Sequence, residues 1–194
     1  MARRTTPPEA WVEEASRLLA TAGPEAVRVE PIAARLGVTK GGFYWHFADR
    51  GALLERVLDE WERTLVDDVI TRVDHDATEP AARLRRLFDL ANVFAKSDHG
   101  PALELTIRDW ARRDKAVAKR LRRVDSRRMA YMRVLFRELG LTDDDAEARS
   151  MLAFSLFVGN PLIAADHDGR TRRDVVGHAL DSLLAPARPT RSRR

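Results

Sequence analysis

GVTKGGFYWHF, residues 37–47, gathers a turn glycine, a threonine, a lysine, a glycine pair, four aromatic residues and a histidine into eleven positions. Gly37 can take the left-handed backbone that ends one helix. The Thr39 hydroxyl can then cap the next by accepting from a free first-turn amide. In a helix over 40–47, Phe43 and Phe47 lie four apart on one face, and Lys40, Gly41, Tyr44 and Trp45 point away from it. Burying two phenylalanines while leaving Lys, Tyr, Trp and His outside is a costly way to make a plain surface. Such a surface is suited to meeting another molecule.

Working outward from this stretch, apolar residues recur almost everywhere at helical spacing and strand signals are nearly absent. A first helix is expected from Pro8 to Ala22, with Trp11, Ala15, Leu18 and Leu19 on one stripe and Gly23-Pro24 closing it. Pro31 suits the first turn of a second helix, which buries Ile32, Ala33 and Leu36 before Gly37 stops it. Asp49 is placed to cap a long fourth helix reaching about residue 73, with Leu53, Leu54, Val57, Leu58, Trp61 and Leu65 inward. The polar stretch DHDATEP at 74–80 reads as a linker. Further helices are expected over 81–96, 102–112, 115–139, 143–165 and 171–184. The fold class is therefore all-α, about nine helices in total. A three-helix head (1–48) with a helix-turn-helix precedes a larger helical bundle (49–185) and a disordered basic tail (186–194).

The net charge of +4 is misleading as a sign of nucleic-acid binding. Arg188, Arg191, Arg193 and Arg194 supply all of it, and the chain before residue 186 is formally neutral. DNA binding must be argued from where charges stand. The chain contains no cysteine, which excludes disulfides and thiolate metal sites. No apolar run is long enough to span a bilayer, and the first residues lack the apolar core of a secretory signal, so a cytoplasmic protein without membrane contact is expected.

Two short helices joined by a tight glycine turn match a helix-turn-helix, whose second helix lies in the DNA major groove. Gly41 and Gly42 remove side chains where backbone would approach the duplex, at a cost in helix propensity of about 1 kcal/mol each. Lys40 and the Tyr44 hydroxyl can reach base edges or phosphates, and His46 and Arg50 stand where phosphates would flank the helix. The segment 11–61, above all GVTKGGFYWHFADRGALLERVL, resembles the DNA-binding region of the TetR family of bacterial transcriptional regulators. The resemblance implies that Lys40, Gly41, Tyr44, Trp45 and His46 contact operator DNA, with Arg50 on a phosphate. It also implies a homodimer on a two-fold-related operator, and a small-molecule pocket under the fourth helix. The sequence departs from the family pattern at VEP, 29–31, where a Thr or Ser commonly caps the second helix; Glu30 cannot neutralise phosphate.

In the body, Trp61, Phe88, Phe94, Trp110, Met132, Phe136, Phe154 and Phe157 fall on inward stripes and are candidates both for plain core and for lining a cavity for a largely apolar effector. MLAFSLFVG at 151–159 is apolar all round and is expected to be buried on more than one side. Leu152 and Leu156, together with Val176, Leu180, Leu183 and Leu184, are the candidate dimer face, two helices from each of two subunits. The basic run 112–128 reads first as a solvated helix face.

Catalysis finds little support. There is no phosphate loop, dinucleotide fingerprint, nucleophile motif or Glu-x-x-His pair. Asp174, His178 and Asp181 share a helix face and could hold a metal weakly, but a surface stripe explains them; no metal or cofactor is expected. Three readings follow: a dimeric repressor released from its operator by a small molecule, a ligand-independent activator or architectural DNA-binding protein, and a helical metal enzyme.

Overall fold

The computed structural model describes residues 6–185. Those residues are helical, with turns between and no strands. Helices α1 (Pro8–Ala22), α2 (Val29–Arg35) and α3 (Lys40–Phe43) form the head. α4 (Arg50–Glu62) continues without a break through a π-helical turn (Arg63–Asp67) into α5 (Asp68–Asp76). Then come α6 (Pro80–Phe94), α7 (Gly100–Ala111), α8 (Lys115–Glu138), α9 (Asp143–Gly159) and α10 (Arg172–Leu184). With α4 to α5 taken as one rod, the described residues form nine helical rods, as the periodicity predicts.

The sequence also dictates most element ends. Pro8 and Pro80 open α1 and α6, where a missing N–H costs nothing. The Asp49 carboxylate caps α4 by accepting from Ala52 N at 2.8 Å. Thr142 and Thr171 cap α9 and α10 in the same way, each at 3.2 Å. Gly37, at φ 66°, turns the chain between α2 and α3 as expected.

Four expectations need correction. α3 is regular only over Lys40–Phe43, and residues 44–46 continue as turns. Two glycines followed by aromatic residues give poor helix propensity, and a four-residue segment cannot offset that by cooperativity. Thr39 has the extended backbone of an N-cap but makes no side-chain capping bond; only its carbonyl accepts, from Gly42 N at 2.9 Å. The linker is shorter than DHDATEP, because α5 runs on through Asp76. α9 stops at Gly159, well before residue 165, since Asn160-Pro161 passes into a 3₁₀ turn. The basic tail lies outside the described residues.

Two compact units divide the chain. The first contains residues up to Asp68 together with Lys96–Val124, so the head shares a unit with α4, α7 and the start of α8. α1 packs on α4 and α7, with Trp11, Leu19, Ile32, Phe43, Leu53, Val57, Leu58 and Ile107 essentially inaccessible. Here lies a buried ionic group: Glu104 accepts from Trp61 Nε1 at 3.0 Å and from Arg108 at 2.7 and 2.9 Å. The second unit holds Val69–Ala95 and the residues from Asp125 onward. Its core is Leu84, Phe88, Met132, Leu135, Phe136, Ala146 and Ala153.

Candidate nucleic-acid interface

The head is held rigid from beneath. Phe43 and Phe47 are buried and stack with centroids 5.4 Å apart, while Trp11 meets the Phe43 edge at 5.4 Å. This three-ring wedge fixes α3 by its inner face, so the opposite face is set without help from its own side chains. On that face Trp45 is 84% exposed and Tyr44 55%, and Thr39, Lys40 and Gly41 are also exposed. Tyr44 is braced edge-on against Phe43 at 5.2 Å, leaving its outer end to solvent.

Neither glycine of the pair is required by the fold. Both keep negative φ, and a Cβ built on Gly41 would come no nearer than 3.8 Å to Thr39 Oγ1. On Gly42 it would stand 4.0 Å from the Trp11 ring. Packing and backbone geometry would both accept alanine there.

Two candidates are tied into the head itself. Arg50 donates from Nε to the Val27 carbonyl at 2.6 Å and from Nη2 to the Pro24 carbonyl. Glu25 stands 3.9 Å away from the same nitrogen. Arg50 therefore staples the start of α4 to the turn after α1, and this commitment limits what it can give a phosphate. His46 Nε2 donates to the Thr6 carbonyl at 2.8 Å, anchoring the first described residue beside α3. A pattern read along the chain misses both, because each partner lies more than twenty positions away.

The sequence also missed the partner of Lys40. Its Nζ lies 2.5 Å from Glu30 Oε1, an ion pair between the first turn of α2 and the first residue of α3. The hydrogen bond from Lys40 holds the Glu30 carboxyl below its usual range, and the same bond raises the Lys40 ammonium.

Residues 12–57 match the sequence model of the bacterial regulatory proteins of the tetR family. The match covers the head and the start of α4, about a quarter of the chain, and this stretch is what is similar to that family. Solved structures agree on the fold. A TetR transcriptional regulator from Legionella pneumophila superposes with a TM-score of 0.76 at 15% identity, covering 95% of this chain and all of that one. A TetR-family transcriptional regulator from Streptomyces coelicolor gives 0.74 at 16% identity, over 91% of this chain and 87% of its own. A transcriptional regulator from Saccharomonospora viridis, solved in complex with choline, gives 0.74 at 19% identity, over 91% and 94%. No curated protein matches the chain in sequence.

The TetR-type head is followed by body residues that sort differently from the sequence reading. The eight aromatic and methionine candidates do not share one unit. Trp61 and Trp110 belong to the first, Trp61 being bonded to Glu104. Phe88, Met132 and Phe136 are core of the second. Phe94, Phe157 and Phe154 form a half-buried file there, with centroids 5.9 and 6.4 Å apart. The Arg128 guanidinium lies over the Phe157 ring at 4.9 Å and over Phe154 at 5.6 Å.

The 151–159 segment is not enclosed within its own chain. Ala153 faces the core, yet Met151 is 54% and Leu152 58% exposed. Leu156 and Val176 are half-buried, and Leu180, Leu183 and Leu184 pack partly against their own subunit's core. Part of the basic run is paired within the chain. Arg120 pairs with Glu55 at 2.7 Å, with Glu62 at 3.4 Å and with Asp59; Arg123 pairs with Glu62 at 2.5 Å. Among the described residues no three His, Asp or Glu side chains gather as metal ligands, and no helix is long and apolar enough to cross a membrane.

Proposed function

We propose that the protein is a ligand-responsive transcriptional regulator, a repressor that binds a two-fold-related operator as a homodimer and leaves it when a small molecule binds. The observation that carries the DNA-binding half is the outer face of α3, where Tyr44 and Trp45 stand in solvent beside Lys40 and a glycine pair that the fold does not require. Large rings left in water beside bare backbone are costly unless a partner covers them. A duplex suits this surface: backbone at Gly41 can approach closely, Lys40 and Tyr44 can donate to base edges or phosphates, and Thr39 and His46 flank them. Arg50 supports the turn from within.

Two copies related by a two-fold axis would place their α3 segments about 34–36 Å apart, one helical turn of DNA. Support for the pairing comes from α9, which offers Met151 and Leu152 to solvent next to Leu156. Support for an effector site in the second unit comes from the half-buried file Phe94, Phe157 and Phe154, which suits a largely apolar molecule. The choline bound by the Saccharomonospora viridis regulator is a poor guide here. The Arg128 guanidinium already lies over Phe157 and Phe154, and its charge disfavours a second cation beside them. Release requires the effector to prefer the form whose heads miss the operator spacing; moving 1:99 to 99:1 takes about 10⁴-fold preference.

Selection of genomic duplex fragments on the purified protein tests this reading. A shared two-fold motif among the bound fragments is the expected outcome, and Tyr44→Ala should weaken binding to it at least tenfold with the dimer intact. No enriched motif, or unchanged binding by the variant, would reject the assignment of α3.

A further inference from the structure

We infer that Glu30 is a specificity-determining residue of the head, which holds Lys40 away from non-specific phosphate; the inference rests on the DNA-binding reading above. Lys40 is the first residue of α3, and its Nζ is held 2.5 Å from Glu30 Oε1. Both side chains are more than half exposed, at 52% and 63%. The pair is therefore on the surface and not a buried necessity of the fold. Glu30 lies in the first turn of α2, the helix that in this motif crosses the DNA backbone. A carboxylate in that place opposes the sequence-independent attraction on which non-specific binding depends.

The chemistry of the two ligands explains why such a pair discriminates. An ammonium offered a phosphate gains only a point-charge contact, available at every nucleotide. A phosphate brought to Lys40 also brings its own negative charge against the Glu30 carboxylate, which opposes the contact. An ammonium offered guanine O6 and N7 gains directed acceptors in the groove, and its three donors let it keep Glu30 while reaching them. Glu30 therefore penalises the contact that every sequence supplies and spares the one that a particular sequence supplies.

The test compares the full chain with Glu30→Gln, Lys40→Ala and the double variant, by titrating labelled mixed-sequence duplex and the selected fragment from 50 to 200 mM salt. Gln keeps the shape and removes the charge; both residues are exposed, and thermal melting checks that the fold is kept. On mixed duplex, Glu30→Gln should bind roughly three- to tenfold tighter, with the slope of log K against log salt steeper by about 0.9, one phosphate's share. The gain on the selected fragment should be smaller, and in the Lys40→Ala background it should fall, since only the carboxylate's own repulsion is then removed. Equal gains on both duplexes, or the full gain without Lys40, would overturn the inference while leaving the DNA-binding reading in place. Failure of the unaltered chain to bind either duplex would remove both.

Discussion

Gly41 meets two demands of opposite sign. Within the chain it is a weak helix former at an open position, so Gly41→Ala should raise thermal stability, by about 0.5–1 kcal/mol in urea denaturation. Toward a duplex it keeps the backbone bare, so the same variant should bind the selected fragment at least tenfold more weakly. A variant that is more stable and binds as well would show that nothing approaches α3 there. Tyr131 supplies a different prediction. Burial, assisted by its hydrogen bond to Asp74 at 2.7 Å, pushes its phenol well above the ordinary value of 10.0. A raised folded-state value means that the stabilisation is complete below pH 10 and is lost as pH rises past it. The melting temperature should therefore fall above pH 10, and Tyr131→Phe should flatten that fall. Glu30 titrates in the other direction: its lowered value makes the Lys40 pair a contribution present above the ordinary carboxylate range and lost on acidification.

Helix ends show how much of the fold can be read from the chain, and where reading stops. Pro8 and Asp49 each place an element start correctly, and the starts expected at 81, 143 and 171 fall within one residue of those observed, because caps and proline act over three or four neighbouring residues. The early end of α3 and the π turn at Arg63–Asp67 were not legible, since propensity and tertiary packing compete there with no local marker. At the site, the exposed set from Lys40 to Trp45 follows from helical spacing. The restraints on Arg50, His46 and Lys40 depend on partners brought close only by folding. The same holds for α7, where Glu104 is buried against Trp61 of α4, a partner far away in sequence. Arg108→Ala would leave that carboxylate buried with much of its compensation gone, at a cost of about 3–5 kcal/mol. Arg108→Lys should recover part of this, as a point charge replaces a two-pronged donor. Urea unfolding of both variants measures the difference, and a loss under 1 kcal/mol for alanine would show that the group is less desolvated than its burial indicates.

At the scale of the molecule, the sequence indicates the helical class and the order of head and body. The compact units instead group α7 and the start of α8 with the head, which local patterning does not reveal. The acidic stripe Glu55, Asp59 and Glu62 on α4 meets Arg120 and Arg123 from α8, so two members of a run that looks like a free basic surface are paired within the chain. Assembly is the matching question. Under the proposed pairing through α9, Leu152→Glu should yield a monomer by sedimentation, because it would place a charge in that contact while leaving the core of Leu84, Phe136 and Ala153 untouched. A dimer that survives this change would move the two-fold contact elsewhere.

The uncovered flank of α9 also bears on gene dosage. On the pairing proposed above, a lone chain leaves Met151 and Leu152 wetted, so scarcity would favour unpaired chains and abundance pairs. Where the working level lies well below the pairing constant, occupancy of a site read only by pairs would climb with the square of protein supply, more sharply than simple one-to-one titration.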